Sequence, residues 1–372
     1  MSHLIFAWGA NSHGQLADNS KNDHYIPTSV PFPNVPKFIS GGGIFSVIAN
    51  DCNLWAAGQL DQKETTEKQM TFVPIGSVKN GVQCISCGWD FFVILTALGQ
   101  LYFRGRNSPG FELEGDLVPS WIDKVSLLPL NNLKFSSVAA GLRHVVAVAD
   151  FNKVLEFKGG TTRDLLIEKS IKVTSCSAGA HHSVISTADS KVGVWGDNRF
   201  GQCGPLINDC PCRPKKANGI QWISSQYFNN ENIIDVQSGW SHILALTESG
   251  KVYSWGRSDF GQLGRTILNP DTSSSSSLWP QKGLVFDPTP QLVQIGTSSS
   301  IRSISAGAEH SLALTEDGQL WTWGWNEHGN CGIDPEKMGN VLIPKRVVIE
   351  GENRFISLVA AGYGFSMSLV DV

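Results

Sequence analysis

Short apolar runs separated by turn-forming residues recur along the whole chain, and this pattern predicts β-strands joined by tight turns. In the clearest copy, from Ala306 to Trp325, residues 311–314 read Ser-Leu-Ala-Leu and residues 320–323 read Leu-Trp-Thr-Trp. Between them stands Glu316-Asp317-Gly318, a turn sequence in which glycine tolerates a positive φ. The unit is a β-hairpin, and a hairpin alone cannot bury its apolar face.

The hairpin is repeated seven times. Each copy begins at an anchor glycine, and successive anchors stand on average about 50 residues apart, which is the period of a propeller blade. The anchors are Gly42, Gly88, Gly141, Gly179, Gly239, Gly307 and Gly362. The Trp-Gly end of the unit is complete at Trp8, Trp195, Trp255 and Trp323 and eroded at Ala57, Arg104 and Lys158. Radially stacked blades bury such hairpins. We therefore predict an all-β fold in which residues 1–372 form a single domain, a seven-bladed β-propeller of four-stranded blades.

The two ends of the chain carry complementary halves of one unit. Trp8-Gly9 has no anchor glycine before it, and Gly362 has no Trp-Gly between it and Val372. We expect the N-terminal strand to complete the C-terminal blade and so to close the ring. Truncation at either end should then open the whole propeller rather than fray it.

Two regions depart from the repeat. Residues 265–300 include the serine runs 273–277 and 298–300, a composition that cannot form a core, so we predict a flexible insertion there between two blades. The blade around Arg104-Gly105-Arg106 is the most degenerate, and the blade after it lacks the Gly-Gln-Leu turn that other copies carry.

Charge and composition narrow the function. The 372 residues have a formal net charge of −4 and contain no basic run, which disfavours binding to nucleic acid or to an acidic membrane surface. The N-terminus lacks the basic region of a signal peptide, and no apolar run reaches the ~20 residues needed to span a bilayer. We expect a cytoplasmic protein, with the nucleus as a second location, that is a monomer by itself.

The eight cysteines give little sign of a metal or redox site, and in the cytoplasm we expect them reduced. Cys84-x-x-Cys87 lacks a second half and falls in a predicted strand, where residues three apart face opposite sides. Cys210-Pro-Cys212 has no histidine nearby to complete a site. We therefore predict no metal and no cofactor.

Catalytic motifs are equally scarce. The chain has no Gly-x-Ser-x-Gly elbow, and no Gly-Lys-Ser/Thr follows the glycines at 41–43. Histidine recurs three residues after the anchor, and a single catalytic site does not need one copy per blade. These histidines are His144, His182, His242 and His310, with Phe45, Phe91 and Phe365 in the same place elsewhere. We expect each histidine to form a hydrogen bond that fixes its own blade, and we predict a protein that is not an enzyme, with no catalytic residues.

The repeat elements His-Ser-Leu-Ala-Leu-Thr, Asp-Gly and Trp-Gly-x-Asn-x-x-Gly-Gln-Leu resemble the regulator-of-chromosome-condensation family over nearly the whole chain. Within that family, segments such as residues 6–16 and 238–242 are similar to the secretion-regulating guanine nucleotide exchange factors. Gly88-Trp89-Asp90 and residues 327–332 also resemble the fungal alpha-tubulin suppressor propellers. The latter resemblance implies as partner a small zinc- or iron-binding protein of diphthamide synthesis and tRNA modification.

The family resemblance also implies a partner-binding face. In the founding member, the residues between the anchor glycine and the histidine engage the small GTPase Ran. At those positions we predict a partner-binding site formed by Trp89, Asp90, Arg143, His181, Trp240, Glu309 and Tyr363. Trp, Tyr and Arg are enriched in binding hot spots, although the aromatic residues could instead pack on neighbouring blades. The founding member's basic N-terminal tail and its nucleotide-displacing wedge have no clear equivalent here.

Two functional hypotheses follow. In the first, the chain is an exchange factor or regulator linked to secretion, with a small GTPase or a secretory-machinery subunit as its partner. In the second, it is an adaptor for the small diphthamide-pathway metalloprotein. Neither requires covalent chemistry, because an exchange factor acts by stabilising the nucleotide-free GTPase.

Overall fold

The structure is a computed structural model that describes residues 3–60, 69–105, 126–127, 133–165, 167–205, 216–267, 285–351 and 354–371. Strands form seven antiparallel sheets of four strands each, which are the blades of a propeller. The predicted fold is confirmed. A 3-10 helix spans Ser225–Phe228, and none of the described residues forms a helix long and apolar enough to cross a membrane.

Blades are numbered here from the one that contains the N-terminal strand. Blade 1 contains β1 (His3–Gly9), β2 (His24–Val30), β27 (Phe355–Ala361) and β28 (Phe365–Asp371). Blade 2 contains β3 (Phe38–Gly41), β4 (Phe45–Ala49), β5 (Asn53–Gly58) and β6 (Gln69–Ser77). Blade 3 contains β7 (Val82–Cys87), β8 (Phe91–Thr96), β9 (Leu101–Gly105) and β10 (Ser126–Leu127). Blade 4 contains β11 (Phe135–Ala140), β12 (His144–Ala149), β13 (Lys153–Lys158) and β14 (Thr161–Leu165).

The remaining three blades repeat the same order. Blade 5 contains β15 (Val173–Ala178), β16 (His182–Thr187), β17 (Val192–Asp197) and β18 (Lys216–Ile223). Blade 6 contains β19 (Ile233–Ser238), β20 (His242–Thr247), β21 (Val252–Arg257) and β22 (Phe286–Leu292). Blade 7 contains β23 (Ile301–Ala306), β24 (His310–Thr315), β25 (Leu320–Gly324) and β26 (Val341–Arg346).

Blade 1 closes the ring. Its strand order is β2-β1-β28-β27, and β1 pairs with β28 from His3 opposite Asp371 to Gly9 opposite Phe365. A side-chain hydrogen bond of 2.7 Å between His3 Nδ1 and Asp371 Oδ1 continues this pairing. The predicted union of the first and last strands in one blade is confirmed.

The hydrophobic core is divided among the blade interfaces. Seven clusters of buried apolar side chains each join two neighbouring blades, one at every interface around the ring. The second strand of every blade is buried along its length, apart from Asp371 at the end of β28. Because no blade buries its apolar surface alone, each depends on both neighbours, and the ring is stable only when closed.

Four of the outermost strands, β2, β6, β22 and β26, contain proline at the exposed edge of their blade. Pro27 lies in β2, Pro74 in β6, Pro288 and Pro290 in β22, and Pro344 in β26. Proline has no N–H to donate, so a fifth strand cannot pair regularly along these edges.

The predicted insertion at 265–300 is too long at its C-terminal end. Residues 268–284 lie outside the described residues, but Phe286–Leu292 is β22, the outer strand of blade 6. Val293 and Ile295 then pack into the cluster between blades 6 and 7. Averaging composition over the whole segment hid these apolar residues behind the serines. The degenerate stretch after Gly105 also lies outside the described residues as far as residue 125.

Candidate protein-binding face

The partner-binding residues predicted from the sequence all lie at one end of the propeller, here called the anchor face. It comprises the turns that follow the anchor glycines and the connections between third and fourth strands. The two kinds of loop are hydrogen-bonded within a blade: the N–H of Asp197 donates to the carbonyl of His181 at 2.9 Å, and that of Trp325 to Glu309 at 2.8 Å.

Each anchor glycine is required by a ring that lies against it. A Cβ at Gly141 would stand 2.3 Å from the imidazole of His144 and 2.4 Å from the carbonyl oxygen of Gly179 in the next blade. A Cβ at Gly88 would likewise stand 2.4 Å from the ring of Phe91. Only glycine lets the side chain three residues later and the neighbouring backbone approach so closely.

A closed circuit of hydrogen bonds runs around the axis at this level. The N–H of a residue just after the anchor donates to a backbone carbonyl of the next blade, once at each interface. The donors and acceptors are Gly43 to Trp89, Trp89 to Leu142, Leu142 to Gly179, Ala180 to Trp240, Trp240 to Ala308, Ala308 to Tyr363 and Tyr363 to Gly42, at 2.8–3.3 Å. The circuit fixes the turns of the anchor face relative to one another.

Three predicted residues, Trp89, Trp240 and Tyr363, meet at the centre of the anchor face. Their ring centroids lie 6.4 Å apart for Trp89 and Trp240, 5.7 Å for Trp89 and Tyr363, and 5.9 Å for Trp240 and Tyr363. They come from blades 3, 6 and 1, which are not neighbours except through the axis. The aromatic residues therefore pack on one another across the ring, and we call them the axial aromatic cluster.

The cluster lies at one end of an axial cavity of about 220 Å³. The innermost strands line this cavity with serines, among them Ser40, Ser86 and Ser177, and Tyr363 also contributes to its wall. Burial raises the pKa of Tyr363 far above its usual range, so its hydroxyl is neutral at physiological pH. All three cluster residues are half-buried and retain some exposed surface.

Arg143 and His181 are exposed on the anchor face, in the neighbouring blades 4 and 5. Burial lowers the pKa of His181, and the positive charge of Lys158 lowers it further. Both side chains are available for contact with a partner, unlike the two predicted acidic residues.

Glu309 is only 5% exposed and is held inside the fold. Its carboxylate accepts hydrogen bonds from Arg257 Nη1 at 3.0 Å and from Gln262 Nε2 at 2.7 Å. Burial raises its pKa, while Gln262 and Arg257 oppose that shift. Asp90 is 8% exposed and also buried. The structure thus separates these two carboxylates from the surface formed by the aromatic and basic residues.

The sequence analysis missed an aromatic site beside Glu309. The Arg257 guanidinium lies over the rings of Phe200 and Phe260, at 5.0 and 5.2 Å from their centroids, and Arg257 Nε donates to Asp259 at 2.7 Å. Phe200 and Phe260 stand just before the glycine of the Gly-Gln turn, where other copies have His13 and His328. That recurrence was the available signal.

The repeat histidines hold neighbouring blades together, so the prediction that each fixes its own blade was wrong. His144 Nε2 is bonded to Ser183 Oγ at 2.9 Å, His182 to Ser238 at 2.8 Å, His242 to Ser311 at 3.0 Å and His310 to Ser366 at 2.9 Å. Burial lowers their pKa values to about 3 or 4, so all four rings are neutral. The second strand of each of these blades packs against the first strand of the next blade, for example β16 against β19, and this brings each ring to the next blade.

Cys84 and Cys87 are not reactive thiols in this structure. Burial raises the pKa of Cys84 to about 11 and that of Cys87 to about 12, so neither forms a thiolate at neutral pH. In the part of the chain that the structure describes, no three His, Cys, Asp or Glu side chains are grouped so as to hold a metal ion. Cys210 and Cys212 lie outside the described residues.

A family model described as the RCC1-like domain matches residues 4–368. The chain belongs to the RCC1-like domain family. Among curated relatives of this RCC1-like propeller is a protein named secretion-regulating guanine nucleotide exchange factor from Bos taurus, 34% identical, with 99% of this chain and 83% of that protein covered. The protein of the same name from Mus musculus is 31% identical, with 99% and 84% covered.

Two solved structures share the fold of this RCC1-like chain. Human WBSCR16 has a TM-score of 0.80 and 18% identity, covering 100% of this chain and 99% of its own. Prp20p of Saccharomyces cerevisiae, described together with its binding to Gsp1p and histones, has a TM-score of 0.79 and 20% identity. That match covers 99% of this chain and 91% of Prp20p.

Proposed function

We propose that this RCC1-like propeller is a guanine nucleotide exchange factor, or another regulator, of a small GTPase linked to secretion, and that the GTPase docks on the anchor face. The axial aromatic cluster is the observation that carries the proposal. Two Trp and one Tyr meet at the centre of the anchor face. Such central aromatic groups are typical of binding hot spots. The relatives named as exchange factors support the choice of partner.

The cluster is well suited to docking because it is held in place before binding. The circuit of backbone hydrogen bonds fixes the turns that carry Trp89, Trp240 and Tyr363, and the three rings restrict one another. Little side-chain entropy is lost when a partner covers groups that are already ordered. A binder that prefers the nucleotide-free GTPase weakens nucleotide binding by the same factor, and this linkage produces exchange without covalent chemistry.

Stopped-flow release of fluorescent GDP from a panel of small GTPases tests the proposal. We expect acceleration for at least one member and a loss of about tenfold or more in the Trp89→Ala/Trp240→Ala variant, because hot-spot truncations cost about 2 kcal/mol or more. The matched control is Phe151→Ala, which removes a 52% exposed ring from the opposite face. Thermal melts establish that each variant is folded.

Either of two results would overturn the docking proposal: no acceleration or binding for any GTPase, or an equal loss in Phe151→Ala. The link to secretion has its own test. In cells that lack the protein, release of a secreted reporter should change, and the wild type should restore it where the double variant does not. Normal release in those cells would refute the link.

A further inference from the structure

Blade 4 has the shortest connection between a third and a fourth strand on the anchor face. In the other six blades the third and fourth strands are joined by the longer segments 10–23, 59–68, 106–125, 198–215, 258–285 and 325–340. In blade 4 the whole connection is Gly159-Gly160, with φ values of 55° and 78°. Two consecutive positive φ values make the tightest hairpin turn, and an added Cβ at either glycine would meet nothing within 4 Å. We call this two-residue turn the blade-4 notch.

Exposed positive charge gathers at the notch. Lys158 is the last residue of β13, opposite His144, and Arg143 precedes that histidine in the anchor turn. His181 and Arg199 occupy the corresponding loops of blade 5, which the bond between His144 and Ser183 joins to blade 4. Basic residues are concentrated here although the chain as a whole has a net charge of −4.

Among the residues that the structure describes, Asp197 is the carboxylate that acts on His181, and it does not balance these cations. Its side chain is 14% exposed; it accepts from Arg199 Nε at 2.9 Å and from Gln202 Nε2 at 3.3 Å. Lys216, also exposed, stands opposite Asp197 in the sheet and adds another positive charge. Once Asp197 is paired with Arg199, the side chains of Arg143, Lys158 and Lys216 remain as excess positive charge among the described residues.

The charges are close enough to act on one another. The pKa of His181 is lowered first by burial and then by Lys158, with smaller contributions in the same direction from Arg199 and Arg143 and an opposing one from Asp197. Like charges held together repel and do not stabilise the fold, so their grouping is typical of a surface complementary to an anionic partner.

We propose that the blade-4 notch receives an acidic polypeptide segment of the protein that docks on the anchor face, with its carboxylates paired to Arg143, Lys158 and Lys216. This inference rests on the proposed function, since the segment belongs to the docked partner. The notch leads to the axial aromatic cluster: Leu142, next to Arg143, accepts the backbone hydrogen bond of Trp89 at 3.3 Å. A segment that enters over Gly159-Gly160 therefore ends beside Trp89.

A fluorescently labelled oligoglutamate peptide tests the notch directly by anisotropy. We expect the wild type to bind it with an affinity that falls as salt rises, because exposed charges are screened. Arg143→Glu/Lys158→Glu should weaken binding about tenfold or more. The control Lys345→Glu/Arg346→Glu makes the same change of charge on the exposed outer strand β26 and should bind within about twofold of the wild type.

Three results would overturn the inference: no binding of the peptide by the wild type, equal losses in the two charge-reversed variants, or equal affinity for a single-stranded DNA of the same charge. The last would indicate a site for any polyanion. Failure of the docking proposal is seen separately, in nucleotide release with Trp89→Ala/Trp240→Ala. Peptide binding at the notch without any GTPase response would leave the acidic-segment site standing and refute the GTPase.

Discussion

The seven blade interfaces fall into two regions that hold the ring together in different ways. The interfaces 4–5, 5–6, 6–7 and 7–1 each contain the histidine–serine hydrogen bond, and each also contains a tryptophan whose indole N–H donates to the preceding blade. The tryptophan donors and their acceptors are Trp195 to Glu156, Trp255 to Gln202, Trp323 to Gln262 and Trp8 to Asn330, at 2.8–2.9 Å.

The interfaces 1–2, 2–3 and 3–4 rely on aromatic packing instead. Phe32 meets Trp55 at 5.2 Å between blades 1 and 2, and Phe45 meets Phe92 at 6.3 Å between blades 2 and 3. Between blades 3 and 4 the cluster contains the four rings of Phe91, Phe103, Phe135 and Phe157. Phenylalanine thus replaces histidine at the interfaces where aromatic side chains of neighbouring blades meet.

The eroded repeats keep hydrogen bonds to buried carbonyl groups although their tryptophans are lost. Ala57 stands where tryptophan would donate to the Gln15 carbonyl, and that carbonyl keeps the hydrogen bond from Ser46 Oγ, at 2.7 Å, which Ser311 also makes in an intact repeat. Arg104, in place of another tryptophan, donates to Ile75 O at 3.0 Å. Buried polar groups need partners, so a lost donor is replaced or the site becomes apolar.

Removing β1 should have the largest effect on stability, because it breaks interface 7–1, the last of the four interfaces with a histidine–serine bond. Deletion of residues 1–9 exposes the edge of β28 and takes Phe6 and Trp8 from the cluster between blades 7 and 1. We expect the cooperative thermal transition to disappear, as measured by circular dichroism. Trp8→Phe is the control; it keeps the strand, loses one hydrogen bond, and should cost about 1 kcal/mol. A wild-type transition in the deletion variant would contradict closure of the ring by β1.

Mild acid should weaken the four interfaces that contain a histidine–serine hydrogen bond. The pKa values of His144, His182, His242 and His310 in the folded protein, about 3 or 4, lie below the usual histidine value of 6.5. Below pH 6.5 the unfolded chain therefore binds more protons than the folded one. The free energy of unfolding decreases as the pH is lowered. The limit is about 1.4 kcal/mol per pH unit for each histidine.

Urea unfolding between pH 6.5 and 5 measures that slope, above the range in which most carboxylates titrate. In His310→Phe/Ser366→Ala one of the four histidines is gone, and the slope should fall by up to about a quarter, because His181 also contributes. A free energy of unfolding that stays constant over this range would show that the buried rings are not the acid-sensitive groups.

Exchanging histidine and phenylalanine between the two kinds of interface should have the smallest effect on the free energy of unfolding. Phe45→His places a polar ring against Phe92 and should cost about 2–3 kcal/mol. His242→Phe removes the bond to Ser311, whose hydroxyl keeps the Gln262 carbonyl as acceptor, and should cost about 1 kcal/mol. Urea denaturation measures both variants. Equal costs would show that the identity of this ring does not depend on the facing blade.

Much of the fold could be predicted from the sequence because each blade repeats its own local signals. The anchor glycines, the Asp-Gly turns and the alternating strands are short-range features, and the unmatched halves at Trp8 and Gly362 located the seam. The outer strand β22 was missed because a long serine-rich segment separates it from the rest of its blade. The predicted site residues were correctly assigned to equivalent turns, but the repeat could not distinguish the exposed Arg143 from the buried Glu309.

The sequence by itself determined the repeat, the number of blades and the position of each residue within its blade, because these depend on contacts between near neighbours. Only the tertiary structure decided which residues of different blades meet. Trp89, Trp240 and Tyr363 converge because seven blades close around one axis, and the histidines reach serines of the next blade for the same reason. Closure of the ring sets these distances, and no local pattern in a single repeat contains them.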